Sequence, residues 1–120
     1  MKAETIEKAI TDLVSVYGGA VRTPREGSQT LARLAEVELP PGCRPATTPM
    51  LLVLDTAAEK PVAFLQPGQL LSNGCAPRST STQIVGGESW MQFSFNIPWA
   101  EEASIIRFIA AARQRFAQND

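Results

Sequence analysis

The chain has 120 residues, 11 of them Lys or Arg and 12 Asp or Glu, which gives a formal net charge of -1 at neutral pH. A chain of this length folds around one core without disulfides or metals, so we expect a single domain over residues 1–120. The balanced charge argues against nucleic acid and anionic membranes as partners. The sequence contains no histidine, which removes the commonest metal ligand and the usual general base. We therefore expect neither a metal nor a bound cofactor.

The start of the chain and its two cysteines indicate a cytoplasmic protein. Glu4 and Glu7 place negative charge where a signal or transit peptide has none, and no apolar run approaches the roughly 18 residues of a membrane span. Cys43 and Cys75 lie in different predicted loops without Cys-x-x-Cys spacing. In a reducing compartment such a pair is normally two thiols, so we expect no disulfide.

Apolar residues with helical spacing predict a helix at each end of the chain. The first covers about residues 4–17, and Gly18-Gly19 follows as its stop signal. Pro98 and the acidic pair Glu101-Glu102 precede the second helix. The N-terminal end of a helix favours the fixed φ of proline and the negative charge of acidic residues. The positions expected to face the core are Ile6, Ala9, Ile10, Leu13, Val14 and Tyr17 in the first helix and Ile105, Phe108, Ile109, Ala112 and Phe116 in the second.

Strand signals fill the region between the helices. Residues 35–39 alternate apolar with acidic, which predicts a strand exposed on one side, and the continuous apolar run 50–54 predicts a central strand covered on both faces. A third strand is predicted over 61–65. Residues 83–85 and 90–95 flank Gly86-Gly87, a spacing typical of a hairpin. The predicted fold class is α+β, with an antiparallel β-meander of about four strands, a long loop over 67–82 and a helix at each end.

Several short motifs in this order resemble a known family. They are Leu-Pro-Pro-Gly at 39–42, Asn-Gly at 73–74, Trp-x-x-Phe-Ser at 90–94 and Pro-Trp at 98–99. Over about residues 30–118 the pattern resembles the ubiquitin-conjugating-enzyme-like superfamily, in particular the short bacterial branch called prokaryotic conjugating-enzyme family E. The resemblance implies the fold of that superfamily, with the 67–82 loop on the active-site side.

The resemblance also implies a chemistry, which is acyl relay. A cysteine accepts the C-terminus of a ubiquitin-like protein as a thioester and passes it to an amine. Cys75 occupies the loop after the 61–65 strand, where conjugating enzymes carry this cysteine, and Arg78 lies close enough in sequence to favour a thiolate. Asn73 is the candidate amide donor to the oxyanion. The implied partners are a ubiquitin-like protein and its activating enzyme.

Two other functions stay open on the sequence. The His-Pro-Asn triplet of conventional conjugating enzymes is missing, and residues 90–96 lack the Arg-His pair of the bacterial branch. In the first alternative, the chain is an inactive binding module on the same fold, and Cys75 is an inert loop thiol. Alternatively it is an unrelated α+β adaptor, which would show a different strand order. Cys43, Trp90 and Trp99 are interpreted as packing residues, together with Phe93 and Phe95.

Overall fold

The described residues fold into one antiparallel sheet and two helices. This computed structural model describes residues 1–18, 25–72, 74–75, 80–93, 99–100 and 104–117. The elements in chain order are α1 (Ala3–Tyr17), β1 (Arg25–Glu26), β2 (Gln29–Glu38), β3 (Thr47–Asp55), β4 (Val62–Leu65), β5 (Thr80–Val85), β6 (Glu88–Phe93) and α2 (Ile105–Ala117). The strands form one six-stranded sheet in the order β1-β2-β3-β4-β6-β5, in which β1 has only two residues.

Both helices lie on the same face of the sheet. Ile6, Ala9 and Leu13 of α1 share a buried cluster with Ile105, Phe108, Ile109 and Ala112 of α2, as the helical spacing predicts. The prediction was wrong for Val14, which is 47% exposed. The helix ends also have local causes. Gly18 ends α1 with φ 72° and an N–H donated to the Val14 carbonyl, and the Ser104 hydroxyl accepts the Ile106 N–H at the start of α2. Neither described helix has the length and apolar character required to cross a bilayer.

The predicted start of β2 was wrong by six residues. The strand begins at Gln29, not Ala35, because residues 31–34 are covered on both faces and show no alternation of apolar with polar residues. A register irregularity between Leu34 and Val37 then changes which side chains point inward. Val37 is buried as predicted, whereas Ala35 is exposed beside Glu36.

The sheet is a meander only through β4. Gly86 and Gly87 form the predicted hairpin turn with φ of 60° and 84°, which suits the left-handed positions of a type I′ turn. However, β6 and not β5 lies next to β4, through the pairs Phe64–Gln92 and Leu65–Met91. The second strand of the hairpin therefore enters the sheet first, and β5 becomes the outermost strand.

The tip of this hairpin folds over the second face of the sheet. In a flat sheet β2 and β6 would be separated by two strands, or about 14 Å. Instead, a Cβ built on Gly86 would lie 3.5 Å from Leu31 Cδ1 on β2. A leucine side chain is too short to cross such a gap, so the backbone of the tip itself approaches β2. The residues buried there are Leu31, Leu51, Val53, Phe64 and Trp90, with Val62 and Val85 packed against them.

Trp90 joins the hairpin to this second cluster and is 1% exposed. The Arg33 guanidinium lies 5.6 Å from the Trp90 ring centroid and donates two hydrogen bonds to Glu88, of 3.1 and 3.3 Å. A bidentate ion pair over an aromatic face is a favourable use of arginine. The pair therefore closes the cluster on its solvent side.

We predict that Trp90→Ala lowers the free energy of unfolding by about 3–5 kcal/mol, because the change opens a cavity where the hairpin meets the sheet. Ile84→Ala, at a side chain that is 77% exposed in the same hairpin, should change it by no more than about 0.5 kcal/mol. Urea unfolding of the two variants measures both values. Equal losses would show that the hairpin does not cover the sheet.

Candidate functional site

The two cysteines lie in opposite environments. Cys43 is 5% exposed and belongs to the main core, as the packing interpretation predicts, and burial raises the pKa of its thiol. Cys75 is exposed, and neither residue forms a disulfide. Because the thiolate is the nucleophile, burial makes Cys43 a poor one, and Cys75 is the described thiol that solvent reaches.

A tight turn carries Cys75. The Gly74 N–H donates to the Leu71 carbonyl and the Leu71 N–H donates to the Cys75 carbonyl, each at 2.9 Å. Gly74 has φ 83°, a conformation that glycine adopts without strain. These hydrogen bonds form the kind of turn that an Asn-Gly pair favours. Asn73 itself, the candidate oxyanion donor, lies outside the described residues, as does Arg78.

The turn is fixed against the loop that connects β2 to β3. Arg44 and Leu70 exchange backbone hydrogen bonds, with N–H to carbonyl distances of 3.4 and 2.9 Å. Gln69, 1% exposed, donates its amide Nε2 to the carbonyls of Pro45 and Leu70, each at 3.1 Å. These bonds hold the segment that precedes Cys75 at one end of the sheet.

Gly42 makes the closest approach between the two loops. It has φ 92°, and a Cβ at this position would overlap the Ser72 carbonyl oxygen and lie 3.2 Å from the Ser72 carbonyl carbon. Gly42 is therefore required twice, once by its backbone conformation and once by lack of space. The Leu-Pro-Pro-Gly motif ends on the residue that supports the Cys75 turn.

A groove of about 680 Å³ is lined in part by residues of the same loop. Tyr17 at the end of α1 and Arg113 of α2 form one wall, and the Arg113 Nε donates to the Glu38 carbonyl. Burial raises the pKa of the Tyr17 hydroxyl, and the positive charge of Arg113 opposes that shift. The rest of the lining is the loop segment Leu39, Pro40, Pro41 and Gly42 with Ala46, Thr47, Glu36 and Glu38.

Sequence reasoning proposed Cys75 as a site residue and missed the residues that fix the turn around it. Gln69 is polar and buried, and nothing in its neighbourhood in the sequence signals a structural role. Gly42 was recognised as part of a motif, but its contact with Ser72 joins positions 30 residues apart, which only the folded chain shows. Among the described residues, no three His, Cys, Asp or Glu side chains gather as a metal site requires.

Comparisons of the chain with protein-family models, curated proteins and solved structures find no match.

We predict that Gly42→Ala destabilises the protein more than Gly68→Ala does. The two glycines have nearly the same φ, 92° and 90°, but nothing lies within 4 Å of a Cβ at Gly68. Gly68→Ala should therefore lower the free energy of unfolding by only about 1–2 kcal/mol, the cost of a left-handed backbone conformation for a residue with a Cβ. Gly42→Ala should lower it by this amount and also by the cost of displacing Ser72. Chemical denaturation of the matched pair gives the difference. Equal losses would mean that the two loops are not in contact.

We predict that iodoacetamide alkylates Cys75 at least about 100-fold faster than Cys43 at pH 8, because a buried thiol reacts only when the structure opens, at a cost of about 3 kcal/mol or more. Cys43 should stay the slower thiol at pH 9, since its pKa is raised by burial. Mass spectrometry of peptides after timed quenching measures both rates. Comparable rates would remove the distinction between the two cysteines.

Proposed function

We propose that this chain is a ubiquitin-conjugating-enzyme-like carrier, which accepts the C-terminus of a ubiquitin-like protein on Cys75 and passes it to an amine. The observation that carries the proposal is the exposed Cys75 thiol, on a turn fixed against the β2–β3 loop at one end of the sheet. This is the loop where the resemblance places the acceptor cysteine. Cys43, the other thiol, is buried.

The chemistry comprises two acyl transfers. The Cys75 thiolate attacks the acyl carbon of the thioester on the activating enzyme, a new C–S bond forms, the old C–S bond breaks, and the cysteine of that enzyme leaves as a thiolate. An acceptor amine then attacks the Cys75 thioester, the Cys75 thiolate leaves, and the surplus proton of the amine passes to water. No oxidant or reductant is needed in either step.

The tetrahedral intermediate of each step needs a hydrogen-bond donor for its oxyanion. The N–H groups of Leu71 and Gly74 are already used inside the turn. In this proposal the donor is the side-chain amide of Asn73, as the resemblance implies.

The proposed partners are the ubiquitin-like protein and its activating enzyme, and the proposed location is the cytoplasm, where thiols stay reduced. A formal net charge of -1 supports protein partners over nucleic acid. The 680 Å³ groove shares Gly42 with the Cys75 side of the loop. A protein that docks there would lie close to the acceptor turn.

Two observations favour the alternative functions. The groove requires no thiol, so a binding module on the same scaffold would keep it with Cys75 inert. The strand order β4-β6-β5 departs from a simple meander and favours the unrelated adaptor. Since a fold hosts many functions, chemistry at Cys75 is the deciding property.

We predict that incubation with ATP, a candidate activating enzyme and its ubiquitin-like protein yields an adduct that thiol reagents release. Cys75→Ala should abolish this adduct, and Cys75→Ser should replace it with a thiol-resistant ester, because an oxygen then holds the acyl group. Non-reducing electrophoresis and mass spectrometry detect both species.

The control is Cys43→Ala, which removes the buried thiol and should leave the adduct in place. If no adduct forms while the ubiquitin-like protein still binds, the chain is a binding module. If the chain neither forms the adduct nor binds the ubiquitin-like protein, the unrelated adaptor is the remaining candidate function.

A further inference from the structure

The two edges of the described sheet differ in how they are protected. At one edge β1 has only two residues, Arg25 and Glu26, both charged in sequence. At the other edge β5 has six residues, Thr-Ser-Thr-Gln-Ile-Val, with no charge, proline or glycine. Edge strands of monomeric proteins are normally short, charged or interrupted by proline, since a free edge pairs with other chains. The β5 edge has none of these protections.

The side chains of β5 are exposed on both faces of the strand. Residues 81–84 are all exposed, although alternate residues of a strand point to opposite sides of the sheet. Ile84, at 77%, is the most exposed of the large hydrophobic residues in the described part of the chain. Another strand can therefore reach this edge and would cover Ile84.

The turn of the hairpin determines which backbone groups of β5 are available. In a hairpin with a two-residue turn, the closing pair exchanges both hydrogen bonds and every second residue repeats the pattern. The closing pair is Val85–Glu88, so Gln83 also directs its N–H and carbonyl groups toward β6. Thr82 and Ile84 direct theirs outward, where the described part of the sheet has no further strand.

These outward groups allow two copies of β5 to pair with each other. A two-fold axis makes an antiparallel contact reciprocal, so Thr82 of each copy can oppose Ile84 of the other. This register joins the outward N–H and carbonyl groups of both residues, and it places Gln83 opposite itself on the axis. Residues 81–85 of one strand then face residues 81–85 of the other, and none of these residues carries a charge.

The side chain of Gln83 is suited to this position on the axis. Its Nε2 donates one hydrogen to Gln92 Oε1 at 2.6 Å, and a primary amide has a second N–H and an acceptor oxygen to offer. Opposed residues without backbone hydrogen bonds between them bring their side chains closest together. Two Gln83 amides can therefore exchange N–H···O bonds across the axis. A second copy supplies the matching amide by symmetry, whereas a strand of another protein would need one at the same position.

The charge beside the axis also suits a symmetric contact. A two-fold axis brings each charged group near its own copy, so an unpaired charge at this edge would repel. Glu88, which faces the last residue of β5 across the hairpin, is paired with Arg33 at 3.1 Å within the chain. This internal pair offsets the charge that Glu88 would otherwise bring to the contact.

From these observations we propose that β5 pairs antiparallel with β5 of a second copy of the chain, centred on Gln83, and so joins two sheets into one. A single added strand contributes less than the roughly 800 Å² per partner that stable interfaces bury. The dimer is therefore reversible, and its population rises with protein concentration. The contact does not involve Cys75, so it is independent of the proposed carrier function.

Disulfide trapping tests the register, in the Cys75→Ser background that removes the exposed thiol. Opposed Cα atoms at the axis lie about 4.5 Å apart, within the range of about 4.4–6.8 Å that a disulfide spans. Gln83→Cys should therefore form a covalent dimer in oxidised glutathione. Thr82→Cys is the matched control, because the two copies of that residue are diagonal neighbours about 7–8 Å apart. It should form the dimer at least about tenfold more slowly, as timed non-reducing electrophoresis measures.

Sedimentation equilibrium tests the pairing without a cross-link. The mean mass of the unmodified chain should rise above 13.0 kDa as its concentration increases. Ile84→Lys and Ile84→Glu should each weaken the dimer by about fivefold, because these residues of the two copies are diagonal neighbours and like charges repel. An equal mixture of the two variants should restore the pairing, since opposite charges then meet. Ile84 is 77% exposed, so both variants should fold as the unmodified chain does.

Three results would overturn the proposal. The first is equal trapping of Gln83→Cys and Thr82→Cys, and the second is a mixture of the Ile84 variants that pairs no better than either alone. The third is an unmodified chain that stays monomeric at its highest soluble concentration. If that monomer shows slower amide exchange at Thr82 and Ile84 when acetyl-Thr-Val-Thr-Val-Thr-amide is added, the edge accepts other polypeptides and the second copy is rejected.

Discussion

The burial of both faces of β3 is the constraint on which the rest of the structure depends. Every side chain from Met50 to Leu54 is buried, and alternate residues point to opposite sides of the sheet. Each such side chain stabilises the fold by about 1.5–3 kcal/mol only while something covers it. The two helices cover one face. On the other face, among the described elements, the β5–β6 hairpin provides the cover.

This requirement gives a physical reason for the order of the strands. Trp90 and Val85 reach the second cluster from the two strands of one hairpin, with Gly86 between the tip and Leu31. The close approach of the tip is possible because the turn has no side chains. With β6 beside β4 and the tip folded inward, β5 is left at the outside. The cover of the second face and the position of β5 at the edge of the sheet are thus consequences of the same arrangement.

Local signals in the sequence were sufficient for most elements. The helical spacing of α1, the apolar run of β3 and the Gly86-Gly87 turn each depend on neighbouring residues, and each prediction is confirmed. What failed depended on distant contacts. Residues 31–34 did not show strand alternation because both faces are covered, and the position of β6 beside β4 follows from burial of the second face and not from any local pattern.

In the candidate site, too, the features that depend on neighbouring residues were predictable and those that depend on distant contacts were not. The burial of Cys43 was predictable because cysteine behaves as a small apolar residue, and the Cys75 turn was predictable from Asn73-Gly74. The anchoring of that turn was not, because Gln69 acts through Pro45, a residue 24 positions away.

This anchoring bears on function, whichever candidate is right. A thiol on a loop fixed to the scaffold loses little further entropy when an acyl group or a partner arrives, which favours both reaction and binding. The scaffold therefore supports the carrier and the binding module equally well. What separates them is the acid–base and oxyanion chemistry within a few ångströms of the Cys75 sulfur, and in this chain that chemistry must come without histidine.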